Sequence, residues 1–207
     1  MLEVKIKRNP YGDGLLFKRG TIELLSGINV IIGRNGCGKT TFCYETEEFC
    51  KKHNIKCYKY DNYIDGGDNA RQEYLMFGDM EALASTAFHS EGEQIFYNMR
   101  KQIVKISNFI SANQKEKQLV IILDALDSGL DIDGIEQVKA VMNMITIDGK
   151  EHGIDIYFVI TANNYALIHE QRCIDIKTGN IYHFDDYISF KKFIEKQYDK
   201  DKSKTKS

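Results

Sequence analysis

The stretch GINVIIGRNGCGKTTF, from Gly27 to Phe42, decides the fold of this chain. Its first half is a β-branched apolar run between Gly27 and Gly33, the signature of a short buried strand. Its second half, Gly33-Arg34-Asn35-Gly36-Cys37-Gly38-Lys39-Thr40, satisfies GxxxxGK[ST], and Thr41 continues into a segment of helical character from Lys39 to Lys52. Glycines at 33, 36 and 38 let the backbone turn with its N–H groups aimed at one point, and the following helix adds its positive end there. The expected product is an anion cradle. Lys39 is expected to reach the β- and γ-phosphates of a bound nucleotide, and the Thr40 hydroxyl to coordinate Mg²⁺, a hard cation that prefers oxygen.

Outward from the cradle, IKCYKYD (55–61), QLVIILD (118–124) and IDIYFVIT (154–161) are further short runs that read as buried strands. Helical segments at 39–52, 92–112 and 132–147 alternate with them, so the pattern predicts an α/β fold with a mainly parallel sheet. Asp124 closes its strand where the loops at the carboxyl ends of parallel strands meet, the place for a metal-binding carboxylate. Ile95, Met99, Ile103, Ile106 and Ile110 share one helix face, read as a core stripe, and Ser90 with Glu93 forms a capping box at the start of that helix. CIDIKTGNIYHF (173–184) predicts a hairpin turning at Thr178, Gly179 and Asn180. The final KDKSKTKS is polar and aperiodic, and a disordered tail is expected there. One proline and no linker composition predict a single domain.

Composition bounds the partners. Among 207 residues, 28 Lys and Arg against 30 Asp and Glu give a net charge of −2, which supplies no global field for nucleic acid and leaves room only for a local basic face. The apolar runs are far shorter than the roughly 18 residues of a membrane span, and the N-terminus lacks the apolar region of a signal peptide. Five cysteines without a CxxC pair read as reduced thiols in a cytoplasmic protein, and their spacing fits no common zinc pattern.

GRNGCGKTT, then SEGEQ (90–94), then ILDALDSGLD (122–131), in that order, resemble the ATP-binding cassette (ABC) ATPases, over about residues 1–190. The P-loop stretch is more similar to the soluble DNA-repair and chromosome-maintenance branch than to transporter subunits. The resemblance implies a P-loop NTPase fold with a short helical lobe at 62–117, and a helix end with a charged tail at 191–207. It also implies ATP and Mg²⁺ as ligands, and a homodimer or heterodimer arranged head to tail, with a further protein partner allowed. Carried over residue by residue, Ser90, Gly92 and Gln94 would meet the γ-phosphate bound by the other subunit, and Ser128 to Asp131 would line the seam.

The family's chemistry is hydrolysis of ATP to ADP and phosphate, and two positions depart from its pattern. The usual catalytic glutamate is Ala125, which cannot accept a proton, and loss of a general base slows a reaction roughly 10²- to 10⁴-fold. Asp127 is the candidate substitute, although an extended strand carries it about 6 to 7 Å further on. Where the family has a switch histidine, Asn163 stands, able to donate a neutral hydrogen bond to the γ-phosphate. Gln72 is the candidate for the glutamine loop and Tyr11 for stacking on adenine. The resemblance, with these departures, thus implies an ATP-dependent dimerisation switch with weak or partner-dependent hydrolysis. A non-hydrolysing ATP scaffold and a small-molecule kinase remain as alternatives.

Overall fold

In the computed structural model of the chain, residues 1–11, 16–61, 91–127 and 130–204 are described, those at 91–100 and 198–204 by their helical backbone alone. Along the chain come strands β1 (Leu2–Lys5), β2 (Thr21–Leu24) and β3 (Gly27–Ile32), helix α1 (Lys39–Lys52), β4 (Lys56–Asp61), α2 (Glu91–Ala112) and β5 (Gln118–Asp124). They are followed by α3 (Ile132–Glu151), β6 (Asp155–Thr161), the one-turn α4 (Tyr165–Ile168), β7 (Arg172–Asp175), β8 (Ile181–Tyr182) and α5 (Tyr187–Lys204).

Six strands form one sheet in the order β4-β5-β6-β3-β7-β8, parallel throughout except for β8, which pairs antiparallel with β7. The chain leaves β3 for the far edge at β4, returns through β5 and β6, and then crosses β3 to reach β7. Connections from β3 and β6 therefore depart in opposite directions. The crevice at their carboxyl ends is the topological switch point, where open α/β sheets bind ligands. The glycine-rich loop after β3 opens onto that crevice.

Alternation along the strands divides the core into two layers. Ile31, Val120, Ile122 and Val159 pack on Phe42, Cys43 and Phe49 of α1 and on the antiparallel β1–β2 hairpin. Val30, Leu119, Ile121, Phe158 and Ile160 face the other way, onto Ile106 of α2, Ile135 and Met142 of α3, and Phe190 of α5. Burying one such aliphatic side chain contributes about 2 kcal/mol. Consecutive buried residues on opposite faces thus clamp the sheet from both sides, which holds the carboxyl ends of β3, β5 and β6 in fixed relation.

The α/β class and the mainly parallel sheet stand as expected, and the hairpin at 173–184 forms with Cys173 opposite Tyr182. Three stretches differ. The β1–β2 hairpin had no counterpart in the sequence reading. Helix α3 runs four residues beyond Ile147, because Gly149 is a contact rather than a stop: a Cβ there would lie 2.7 Å from Ile156 Cδ1. The charged C-terminus is helical to Lys204 rather than disordered from residue 200, consistent with i,i+4 pairing such as Lys191–Glu195 at 4.0 Å. Of the expected helical lobe, residues 62–90 lie outside the described residues. No helix among the described residues is long and apolar enough to cross a membrane.

Candidate functional site

The loop after β3 is built on positive backbone dihedrals. Gly33 has φ +149° and Gly38 +101°; a Cβ at Gly33 would sit 2.5 Å from Cys37 Sγ, and one at Gly38 2.9 Å from Leu16 Cδ2. Only glycine meets both demands. Gly38 is also the N-cap of α1 and makes no side-chain cap hydrogen bond, and the Lys39 amide meets Cys37, so first-turn N–H groups beyond Lys39 are available to a ligand or solvent among the described residues. An open cavity of about 310 Å³ lies over this end, lined by Asn35, Gly36, Gly38, Lys39, Thr40 and Thr41 and closed by Tyr11, Asp124, Thr161 and Asn163.

Lys39 is the cation of this cavity. Its Nζ donates to the Gly33 carbonyl at 2.7 Å, the Arg34 carbonyl at 3.3 Å and Asn163 Oδ1 at 2.9 Å. Burial lowers its pKa below the ordinary 10.5, with Cys37, Asp127 and Asp124 opposing that shift. The ammonium is thus held by neutral carbonyl dipoles, partners that a phosphate can outcompete.

Asp124 at the end of β5 is 2% exposed. Its Oδ1 accepts from the Thr161 hydroxyl on β6, and that hydroxyl accepts in turn from the Ala125 amide. Among the described residues, its buried Oδ2 has no hydrogen-bond partner. An ionised oxygen left so costs several kcal/mol unless a cation completes it. Thr40, exposed at the start of α1, lines the same cavity. Among the described residues no group of three or more His, Cys, Asp or Glu side chains could hold a metal ion, so a cation here would draw its remaining ligands from the nucleotide or from water.

Asp127, the candidate substitute base, lies beside the loop that follows β6. Its Oδ2 accepts from the Asn163 and Asn164 amides at 2.6 and 2.5 Å, clamping the loop after β6, and it does not line the cavity. Asn163, through its side chain on Lys39 and its amide on Asp127, joins that loop to the cradle. Ala125 adopts φ +55°, a left-handed backbone that costs a non-glycine residue roughly 1–2 kcal/mol.

The structure thus brings together Gly33, Asn35, Gly36, Gly38, Lys39, Thr40, Thr41, Asp124 and Asn163. Arg34 contributes its carbonyl to Lys39. Cys37 is turned inward: its amide donates to the Arg34 carbonyl at 3.1 Å, and burial pushes its thiol pKa up. Tyr11 lines the cavity with its hydroxyl hydrogen-bonded to Thr41 Oγ1 at 2.8 Å. Gly92 and Gln94 fall in the first turn of α2 with their side chains undescribed, and Ser90, Gln72, Ser128 and Gly129 lie outside the described residues. Asp131 caps α3, its Oδ1 accepting from the Gly134 amide at 2.7 Å. The sequence reading missed Thr161, whose only signal is a polar residue ending an apolar strand. It also missed Leu16, which packs on the cradle.

No family model matches the chain, and no curated protein sequence matches it.

Proposed function

We propose that this chain is a P-loop protein of the ABC-ATPase type, binding ATP with Mg²⁺ to close a head-to-tail dimer, with slow hydrolysis. The observation that carries the reading is a glycine-built cradle facing a buried carboxylate with one unsatisfied oxygen, Asp124 Oδ2. Thr40 and Asp124 would hold the Mg²⁺, which when bound neutralises phosphate charge. Backbone amides from Gly36 onward would orient the phosphates, and Lys39 would exchange its carbonyl contacts for phosphate oxygens. Tyr11 would bound the site on its open side.

A slow reaction follows from what stands around the cavity. Ala125 presents only a methyl group at the position of the missing glutamate, and one oxygen of Asp127 is engaged by two amides. Ala125 cannot accept a proton from water, and Asp127 would have to do so while its Oδ2 holds two amides. Asp127 serves instead as a positioning residue: it holds Asn163, and Asn163 holds Lys39. A phosphate that draws Lys39 away from Asn163 would alter the loop joined to Asp127, next to the segment expected at a dimer seam. A ligand shifts such an equilibrium only by the contacts it gains in one state.

Sedimentation of the full chain with and without Mg–ATP tests the switch. The reading expects the mass to double with ATP and to remain single in Lys39→Ala; an unchanged mass in the wild type contradicts it. The second reading, a non-hydrolysing scaffold, is favoured by the absence of a base at Ala125. Phosphate release separates the two readings. Turnover at background in the wild type and above it in Ala125→Glu supports the scaffold, whereas turnover in the wild type supports the enzyme.

A further inference from the structure

Away from the cradle, a cavity of about 790 Å³ opens between the β7–β8 hairpin and α5. Four ammonium groups line it: Lys18 from the loop before β2, Lys177 from the hairpin turn, and Lys192 and Lys196 from α5. One carboxylate, Asp175, also lines it. That carboxylate is buried and already accepts from the Thr178 hydroxyl at 2.6 Å and from the Lys177 amide and Gln197 Nε2, each at 3.1 Å. The cavity therefore carries 4 − 1 = +3, on a chain whose net charge is −2. Asp186, near Lys192, lies outside the lining and is occupied in accepting from Ser189.

The same wall is aromatic as well, with Phe193 on α5 beside Lys192 and Tyr182 on β8. Tyr182 stands 4.8 Å from Phe193 and 5.9 Å from Phe184, centroid to centroid. An inorganic anion would use the lysines and ignore these rings; an apolar ligand would do the reverse. A planar base bearing a phosphate uses both, as in grooves that bind single strands. The cavity volume falls within the range of nucleotide-sized sites.

We infer that this groove is a second site, separate from the cradle, which binds nucleotide units with their phosphates on Lys18, Lys192 and Lys196 and a base against Tyr182 and Phe193. A single strand and a free nucleotide share this chemistry, and a single strand is the source tested first, because lysines beside aromatic rings are the make-up of grooves that bind one. The inference is independent of the function proposed for the cradle.

The test uses the full chain carrying Lys39→Ala, so that the cradle does not contribute. The probes are a labelled oligothymidylate of roughly ten nucleotides, followed by anisotropy, and free AMP. The expected result is salt-dependent binding of the strand. Lys192→Glu with Lys196→Glu should weaken it at least about tenfold, and the slope of log K against log salt should fall by about 1.4, some 0.7 per phosphate contact. Lys192→Gln with Lys196→Gln provides a milder second variant, and Tyr182→Leu, which keeps apolar bulk, should weaken binding about fivefold or more by removing stacking. Strand binding well above that of AMP supports the single-strand source. Equal binding of both, lost in the lysine variants, supports the nucleotide site and overturns that source. Failure of either probe to bind, or binding unchanged in both lysine variants, overturns the proposal.

Discussion

The Thr161 hydroxyl on β6 donates to Asp124 Oδ1 at 2.5 Å and accepts the Ala125 amide at 2.7 Å, tying the carboxyl end of β5 to its neighbour. One oxygen of the carboxylate is thereby fixed, and the other has no hydrogen-bond partner among the described residues.

Replacing Thr161 by the isosteric valine should leave two buried polar groups unpaired, the Ala125 N–H and the Asp124 carboxylate. The expected loss is about 2–4 kcal/mol in urea denaturation, with Thr161→Ser recovering most of it. A loss below about 0.5 kcal/mol, typical of a neutral surface change, would contradict the bridge.

Asp124→Asn separates stability from ligand binding. The neutral amide removes an uncompensated buried charge, so the ligand-free variant should melt at the same temperature as the wild type or higher. Mg–ATP should then raise the melting temperature of the wild type but not of the variant. Equal ligand shifts in both would remove Asp124 from the metal site.

Asp127 gives opposite expectations as a clamp and as a base. As a clamp, Asp127→Ala should cost about 2 kcal/mol through its two amide bonds, while Asp127→Asn, which keeps an acceptor oxygen, should lose less and retain any phosphate release. Abolished turnover in a fully folded Asp127→Asn would restore the base.

Lys39 sets the pH behaviour. Burial lowers its pKa below 10.5, so the unfolded chain binds more protons between the folded and the ordinary value. Stability from this group therefore rises with pH across that interval, while anion binding by the ammonium falls. ATP affinity should decline on the alkaline side at a pH below that of an exposed lysine, and the decline should be absent in Lys39→Arg if that variant binds. A flat profile up to pH 10.5 would contradict the assigned cation.

Much of this site was legible because its parts obey local rules. QLVIILD could be read as a strand ending in Asp124 from its apolar run, and the glycines at 33, 36 and 38 announced the turn by their spacing. What escaped depends on pairing across the sheet. That Thr161 would meet Asp124 follows from β5 lying beside β6, and no residue spacing encodes that neighbour. An extended path would carry Asp127 away from the strand end, so only a local turn could bring it back; the chain turns at the left-handed Ala125 and delivers the carboxylate to the 163–164 amides, a destination the residue order does not encode. LEVKIK at the N-terminus alternates plainly, but a four-residue strand is a weak signal until Leu24 and Val4 are seen packing on α1.

Calorimetric titration of Mg–ATP into the full chain, with Lys39→Ala beside it, tests the cradle most directly. The account predicts saturable binding that needs Mg²⁺ and weakens by roughly 10- to 100-fold in the variant, the worth of a charge-assisted contact. Absence of binding in the wild type, or equal affinity in the two proteins, would contradict it.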